Sequence, residues 1–186
     1  SVLLWCADAA AKKEKLIANT ESFVNGKKAN NCLLFGDAGT GKSSCIKAIA
    51  NQYYDQGLRI IEIRKDQLRE IPLIIDNLSK NPLKFILFID DLSFASDDDN
   101  FGALKAILEG SVSARADNIA IYATGNRRHL VKEKFSDRNG DDMHRNDTIQ
   151  EMVSLSERFG LKISFSRRSA FPNPHDGRLL SSKKPT

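Results

Sequence analysis

The stretch "LLFGDAGTGKSSCIKAIAN", Leu33 to Asn51, decides the reading of this chain. It sets Gly36, Gly39, Gly41 and Lys42 between an apolar run and a segment of helical period. The run Gly36-Asp37-Ala38-Gly39-Thr40-Gly41-Lys42-Ser43 fits the pattern G-x-x-x-x-G-K-[ST], with a strand pattern before it and a helix pattern after it. Glycines at this spacing let successive backbone N–H groups turn inward and close around phosphate oxygens. A helix beginning near Lys42 points its positive dipole end at the same anion. Residues Gly36 to Ser44 are therefore the expected nucleotide contact. Lys42 would bridge the β- and γ-phosphates of ATP, and the Ser43 hydroxyl would ligate Mg²⁺.

Outward from this loop, apolar runs alternate with helical patterns. Ahead of it, "ADAAAKKEKLIANTESFVNGKK" carries Leu16, Ile17, Phe23 and Val24 at helical spacing and ends near Gly26, and "NCLLFG" reads as a buried strand. Behind it, "KSSCIKAIANQYYDQG" reads as a helix to about Gly57, "LRIIEIRK" as a strand, and "DQLREIPLIIDNLSKNP" as a helix whose first turns Pro72 disturbs. Then come a strand in "KFILFIDDLSF", an acidic loop and helix in "DDDNFGALKAILEGS", and a strand in "NIAIYATGN". A helix in "DTIQEMVSLSERFG" and a strand in "LKISFS" close the series. Continuous apolar strands imply burial on both faces, hence a largely parallel sheet covered by helices, with ligands at the carboxyl ends of the strands. The expected organisation is an N-terminal segment and helix over 1–30, a nucleotide-binding core over 31–165, and a tail over 166–186. In that tail periodicity is lost, and its Pro, Ser and basic residues suggest disorder.

Composition sets outer limits. The 186 residues suffice for one domain with a sizeable core, and 41% hydrophobic with 28% charged residues is the balance of an ordinary soluble protein. No apolar run is long enough to span a bilayer, and "SVLLWCADAA" does not read as a secretory signal. The net charge of +4 is mildly basic and concentrated in the tail at Arg167, Arg168, Arg178, Lys183 and Lys184, which reads as solvated surface before it reads as a nucleic-acid site. Cys6, Cys32 and Cys45 are odd in number and lack C-x-x-C spacing, which suits a reducing cytosol. His129, His144 and His175 share no metal-ligand spacing.

Asp90 and Asp91 end the third strand, directly after an apolar run. Asp90 fits a Mg²⁺ ligand and Asp91 a water-polarising base; a cap after the strand is the plain alternative. Asn126, after the fourth strand in "YATGN", can orient the attacking water or contact the γ-phosphate, with Thr124 as a second candidate and a simple turn residue as the alternative. Arg127 and Arg128 are as well explained by exposed surface. Arg158 in "SERFG" is either a cation at a helix carboxyl end or an arginine finger that stabilises charge on the γ-phosphate. Asp97, Asp98 and Asp99 read as a solvated loop with a helix cap.

Taken in order, "GDAGTGKSS", "FILFIDD", "YATGN" and "SERFG" resemble the Walker A, Walker B, sensor-1 and arginine segments of an AAA+ ATPase core. Two acidic residues after the third strand and an Arg-Phe pair before the last resemble the bacterial replication-initiator and helicase-loader branch. The nearest resemblance is to an uncharacterised bacterial ATP-binding family of that branch, a domain of unknown function. It is carried by Asn19 to Ser44, Ile89 to Phe94, Leu104 to Ser111, Ala114 to Leu130 and Leu155 to Leu161. The resemblance implies a three-layer αβα P-loop NTPase fold with a parallel five-stranded sheet in the order 5-1-4-3-2, and an adenine contact near Trp5 to Asp8. It also implies the roles above for Lys42, Ser43, Asp90, Asp91, Asn126 and Arg158, and a homo-oligomer in the full-length form. Two departures stand out. Members of that family continue into a helical lid, whereas "SRRSAFPNPHDGRLL" fits no lid pattern, so the lid is expected to be absent or truncated, by a cut or frame-shifted end or by a variant tail. Gly125 also stands where Ser is more usual.

The resulting expectation is a cytoplasmic ATP- and Mg²⁺-dependent ATPase that drives a conformational or remodelling step, with a protein or DNA partner undefined and no membrane role. A nucleotide-dependent switch or loader with negligible turnover is the first rival. A P-loop kinase is the second, and would need an acceptor-binding lid with arginines that this sequence does not display.

Overall fold

The apolar runs become strands β1 (Cys32–Gly36), β2 (Leu58–Ile63), β3 (Lys84–Ile89), β4 (Ile119–Asn126) and β5 (Leu161–Phe165). Between and before them lie helices α1 (Ala7–Val24), α2 (Lys42–Gln52), α3 (Ile71–Leu78) and α4 (Asp99–Leu108). The computed structural model describes residues 7–93, 99–110, 116–126, 150 and 152–166, of which 150 and 152–157 are also helical. The strands form one sheet in the order β2-β3-β4-β1-β5, every pairing parallel. Read from the other edge, this is the order 5-1-4-3-2 that the family resemblance implies.

The pleat sorts the core into two layers. Side chains alternate across a strand. Accordingly Cys32, Leu34, Ile86, Phe88, Ala120 and Tyr122 pack with Leu16 and Phe23 of α1 and Cys45, Ile46 and Ile49 of α2. The residues between them, Leu33, Leu87, Ile89, Ile121 and Ala123, pack with α3, α4 and the segment around Leu155 and Phe159. Chain direction explains the assignment. From β1 the chain crosses to the far edge at β2 through α2, then returns through β3 and β4 by way of α3 and α4. Right-handed crossovers taken in opposite directions put their helices on opposite faces.

Three local readings change. Burial on both faces holds for β3 and β4, but the edge strand β2 buries only its end residues, Leu58 toward one layer and Ile63 toward the other, and leaves Ile60 36% exposed between them. The helix after the glycine loop ends at Gln52, and a 3₁₀ turn over Tyr54–Gln56 carries the chain to Gly57, whose φ of 92° makes the reversal into β2. Pro72 does not disturb a longer helix. It sits in the first turn of α3, where the N–H it lacks has no intrahelical partner, and residues Lys65–Glu70 before it form a 3₁₀ helix.

At the amino ends of the strands a polar network ties α1 to the sheet. The Thr20 hydroxyl donates to the Leu16 carbonyl at 2.8 Å, so the Tyr122 hydroxyl donates to Thr20, also at 2.8 Å. The Asn19 amide donates to Tyr122, to the Cys32 sulfur and to the Asn30 carbonyl. Asn31 accepts from the Ile121 N–H of β4 at 2.9 Å. Burial pushes the Cys32 thiol up to about 12, against the opposing effect of its contact with Tyr122, which leaves it a neutral packing group. The expectations for the tail, the lid, Asp97, Asp98, Arg127 and Arg128 lie outside the described residues.

Gly36 closes β1 where β5 comes nearest. Its φ is 143°, a Cβ there would meet the Phe165 carbonyl oxygen at 1.8 Å, and the Asp37 N–H donates to that oxygen. Gly39, with φ 73°, has nothing within 4 Å of an added Cβ. Gly36→Ala should therefore destabilise the fold by roughly 1–3 kcal/mol or more through overpacking, lowering the melting temperature clearly further than Gly39→Ala, whose cost is the left-handed backbone alone. Thermal unfolding of the two variants checks this, and equal losses would contradict it.

Candidate functional site

The site forms at the carboxyl ends of β1, β3 and β4. After Gly36 the loop turns through Gly39 at φ 73° and Gly41 at φ 80°, and Gly41 is the N-cap of α2. First-turn N–H groups of a helix have no partner within it. In α2 no side chain caps them and the first turn holds no acidic residue. The result is a concentration of backbone donors with the positive end of the helix dipole behind it, the arrangement that binds anions. Thr40 steadies the loop by donating to the Asp37 carbonyl at 2.8 Å. The Lys42 ammonium folds over the same loop, donating to the carbonyls of Gly36 at 3.2 Å and Asp37 at 2.6 Å and to the Thr40 hydroxyl at 3.3 Å. Only 9% of Lys42 is exposed. Burial lowers its pKa, and the carboxylates of Asp37, Asp90 and Asp91 oppose that shift. A cation held by carbonyl oxygens beside first-turn N–H groups that no side chain caps is placed for a polyanion. Ala38 and Gly39 extend the loop, and Ser44 is exposed in the first turn of α2.

The second half of the site comes from β3 and β4. Asp90 follows the last residue of β3, and its Oδ1 accepts from the Ser43 hydroxyl and from the Thr124 hydroxyl, both at 2.6 Å. Burial pushes the Asp90 carboxyl up, but the Ser43 and Thr124 hydrogen bonds and the charge of Lys47 together hold it below the usual carboxylate range. Asp91 turns into the left-handed region at φ 54°, the one such residue other than glycine among those described. Asp tolerates that region better than longer or branched side chains do. Its N–H donates to the Thr124 hydroxyl at 2.9 Å, and the next N–H, of Leu92, donates to the Thr124 carbonyl at 2.7 Å.

The sequence candidates thus divide. Lys42, Ser43, Asp90, Asp91 and Thr124 converge. Asn126 ends β4 opposite Gly36 in the β1 register and lines a small pocket with Phe35, Leu92 and Met152. Arg158 lies elsewhere. It precedes Leu161, which pairs with Cys32 at the amino end of β1, so it sits at the opposite end of the sheet from the glycine loop. Its guanidinium is bonded to Glu109, just after α4, through Nε and Nη2, and to the Ser154 carbonyl and hydroxyl through Nη1. Sequence reasoning missed Glu109 as the partner of Arg158 and missed that Thr124 contacts both aspartates. Period-two alternation was the available signal for Thr124, since it shares a face with Tyr122 and Ala120. The adenine contact near Trp5 to Asp8 falls on side chains outside the described residues. Among the described residues, no helix is long and apolar enough to cross a membrane.

Comparison with known proteins gives the same architecture. A search of the curated proteins found no match. Among solved structures, the chain is similar to the Aeropyrum pernix ORC1 protein in complex with DNA, with a TM-score of 0.55 and 13% identity over 89% of this chain and 46% of that one. It is similar to AMPPCP-bound DnaA from Aquifex aeolicus, with a TM-score of 0.50 and 19% identity over 81% of this chain and 46% of that one. It is also similar to the Aeropyrum pernix ORC2 protein in ADPNP-ADP complexes, with a TM-score of 0.51 and 12% identity over 84% of this chain and 47% of that one. The chain spans about half the length of these structures. At such identities the likeness is one of fold, a five-stranded parallel sheet flanked by helices as in AAA+ P-loop NTPase domains. With residues 5–171 matching, the chain belongs to the family described as "Protein of unknown function (DUF815)".

Proposed function

We propose that this chain binds ATP with Mg²⁺ and hydrolyses it, using the free energy for a conformational or remodelling step. One observation carries the reading: the uncapped N-terminus of α2, the Lys42 ammonium and the Ser43–Asp90 pair meet at one end of the sheet. The loop N–H groups and Lys42 take the phosphates, and the removal of the ammonium from water strengthens its hold on them. Ser43 and Asp90 present hard oxygens side by side. Among the described residues no cluster of three His, Cys, Asp or Glu residues could hold a metal. A sparse oxygen set of this kind fits Mg²⁺, which binds through one or two protein oxygens together with phosphate and water. When bound, Mg²⁺ supplies charge neutralisation across the β- and γ-phosphates. Asp91, exposed beside Asp90, is the base that orients and deprotonates the attacking water, and Asn126 contacts the γ-phosphate or that water. The AMPPCP-bound DnaA and the ADPNP-ADP complexes of ORC2 support a nucleotide ligand, and the DNA complex of ORC1 supports DNA as a partner class to test.

Arg158 acts from a neighbouring copy. The length of β5, five residues or about 17 Å, separates it from its own loop, which supports a role in trans. A nucleotide-dependent switch with negligible turnover is the second reading, favoured by the engagement of Arg158 with Glu109.

Lys42→Ala should weaken ATP binding by roughly 2–5 kcal/mol, the cost of losing a charge-assisted contact in a partly desolvated site. Calorimetry showing unchanged affinity would remove the phosphate-cradle reading.

Asp91→Asn should leave ATP·Mg²⁺ binding near the parent value and suppress turnover, since the amide cannot accept a proton. Asn also tolerates the left-handed backbone at this position, so a lost fold would not confuse the result. Phosphate release at the parent rate would exclude Asp91 as the base, and parent turnover indistinguishable from background would favour the switch.

Mixing Lys42→Ala with Arg158→Ala should restore hydrolysis that neither shows alone. The first chain lends its arginine to the nucleotide held by the second, and such an arginine can be worth roughly 10³–10⁵ in rate. Co-assembly demonstrated by light scattering without recovered activity would leave Arg158 a structural partner of Glu109.

A further inference from the structure

The geometry points to Thr124 as a positioning residue that fixes Asp90 and Asp91 for their work on the metal and the water, and that does not itself contact the water. The inference rests on the ATP·Mg²⁺ reading above. A threonine hydroxyl has one proton to give. That of Thr124 goes to Asp90 Oδ1 at 2.6 Å, while the same oxygen accepts the Asp91 N–H at 2.9 Å. The residue is 2% exposed, so water has little access to what remains of its bonding capacity. A third bond, from the Leu92 N–H to the Thr124 carbonyl, holds the chain on the far side of Asp91. Asp91 is thereby bracketed while its φ stands at 54°, a conformation that L residues rarely hold without support from their surroundings. Asp90 is pinned in parallel. Ser43 and Thr124 both donate to Oδ1, one from the first turn of α2 and the other from β4.

The topology places such a residue beneath the acidic pair. β1 and β3 are not neighbours, because β4 runs between them. Whatever joins the acidic pair to the loop must pass over β4, and Thr124 is the hydroxyl-bearing residue there, on the pleat face shared with Tyr122 and α2. Partners that orient a ligand without touching the metal are commonly worth about 10–100-fold in metal affinity.

The test uses the full chain and two variants, Thr124→Val and Thr124→Ser. ATP affinity is measured by calorimetry with and without Mg²⁺, and the melting temperature of each variant is recorded. Thr124→Val keeps the β-branched shape and removes the hydroxyl. It should reduce the Mg²⁺-dependent gain in ATP affinity by about 10–100-fold, leave Mg²⁺-free affinity near that of the parent, and Thr124→Ser should restore the gain to within a few-fold. Amide hydrogen exchange on the parent needs no variant: the Asp91 N–H should be protected well beyond a solvent-bonded amide. The proposal is overturned by an unchanged Mg²⁺ gain in Thr124→Val, by Thr124→Ser behaving like Thr124→Val, or by free exchange at Asp91. A parent whose ATP affinity does not respond to Mg²⁺ overturns the functional reading and this proposal together. A responsive parent with an indifferent Thr124→Val overturns this proposal alone.

Discussion

The glycine loop leaves β1 and the acidic pair leaves β3, yet β4 lies between those strands, so two strand spacings, about 10 Å, separate the halves of the site in the sheet. Side chains have to close that gap. Ser43 reaches in from the first turn of α2 and Asp90 from beyond the end of β3, and they meet at 2.6 Å above the end of β4. Everything else near the site serves this contact. Gly36 brings the loop in at the height of Phe165, α2 holds Ser43 at the right elevation, and Thr124 supports the aspartates from below.

The contact in turn depends on the stacking of layers beneath it. The apolar residues of β1, β3 and β4 alternate between two clusters, one under α1 and α2, the other under α3, α4 and the segment around Phe159. Burial of such side chains on both faces is the dominant favourable term in folding, and it fixes the register of the strands, because a slip of one residue would exchange the two faces. Register then determines which strand-end residues face α2. Tyr122, Phe88 and the ends of their strands at Thr124 and Asp90 share that face. The polar network of Asn19, Thr20, Asn31 and Tyr122 fastens the opposite end. The sheet is thus held by a hydrogen-bonded base at its amino ends and carries the chemistry at its carboxyl ends.

Electrostatics follow the same division. At the carboxyl ends Lys42 is surrounded by Asp37, Asp90 and Asp91, charges that compensate for its burial, and the exposed Lys47 adds to the stabilisation of the Asp90 carboxylate. At the amino ends Arg158 and Glu109 form an ion pair at partly exposed positions, with 27% and 46% of their side chains accessible. Pairs of that exposure contribute little to stability. The extra bonds from Arg158 to Ser154 make the pair more a definition of side-chain position than a source of cohesion.

Much of this was written locally in the chain. The glycine spacing, Lys42 and Ser43 are contiguous, and their chemistry follows from backbone freedom and a helix start. The alternation of apolar runs with helical periods was enough for a parallel sheet, and Asp90 and Asp91 announced themselves as carboxylates after a buried strand. The strand order came from resemblance, since no local pattern says which strand lies beside which. Other features depended on residues far apart in sequence being brought together. Gly36 is required by Phe165, Asp91 takes a left-handed turn that Thr124 supports, and Arg158 is engaged by Glu109. In each case the decisive partner lies more than thirty residues away along the chain. Local sequence specifies dihedral preference and face. Tertiary packing alone decides which donor meets which acceptor, because hydrogen bonds form only within about 3 Å and that proximity is created by the sheet.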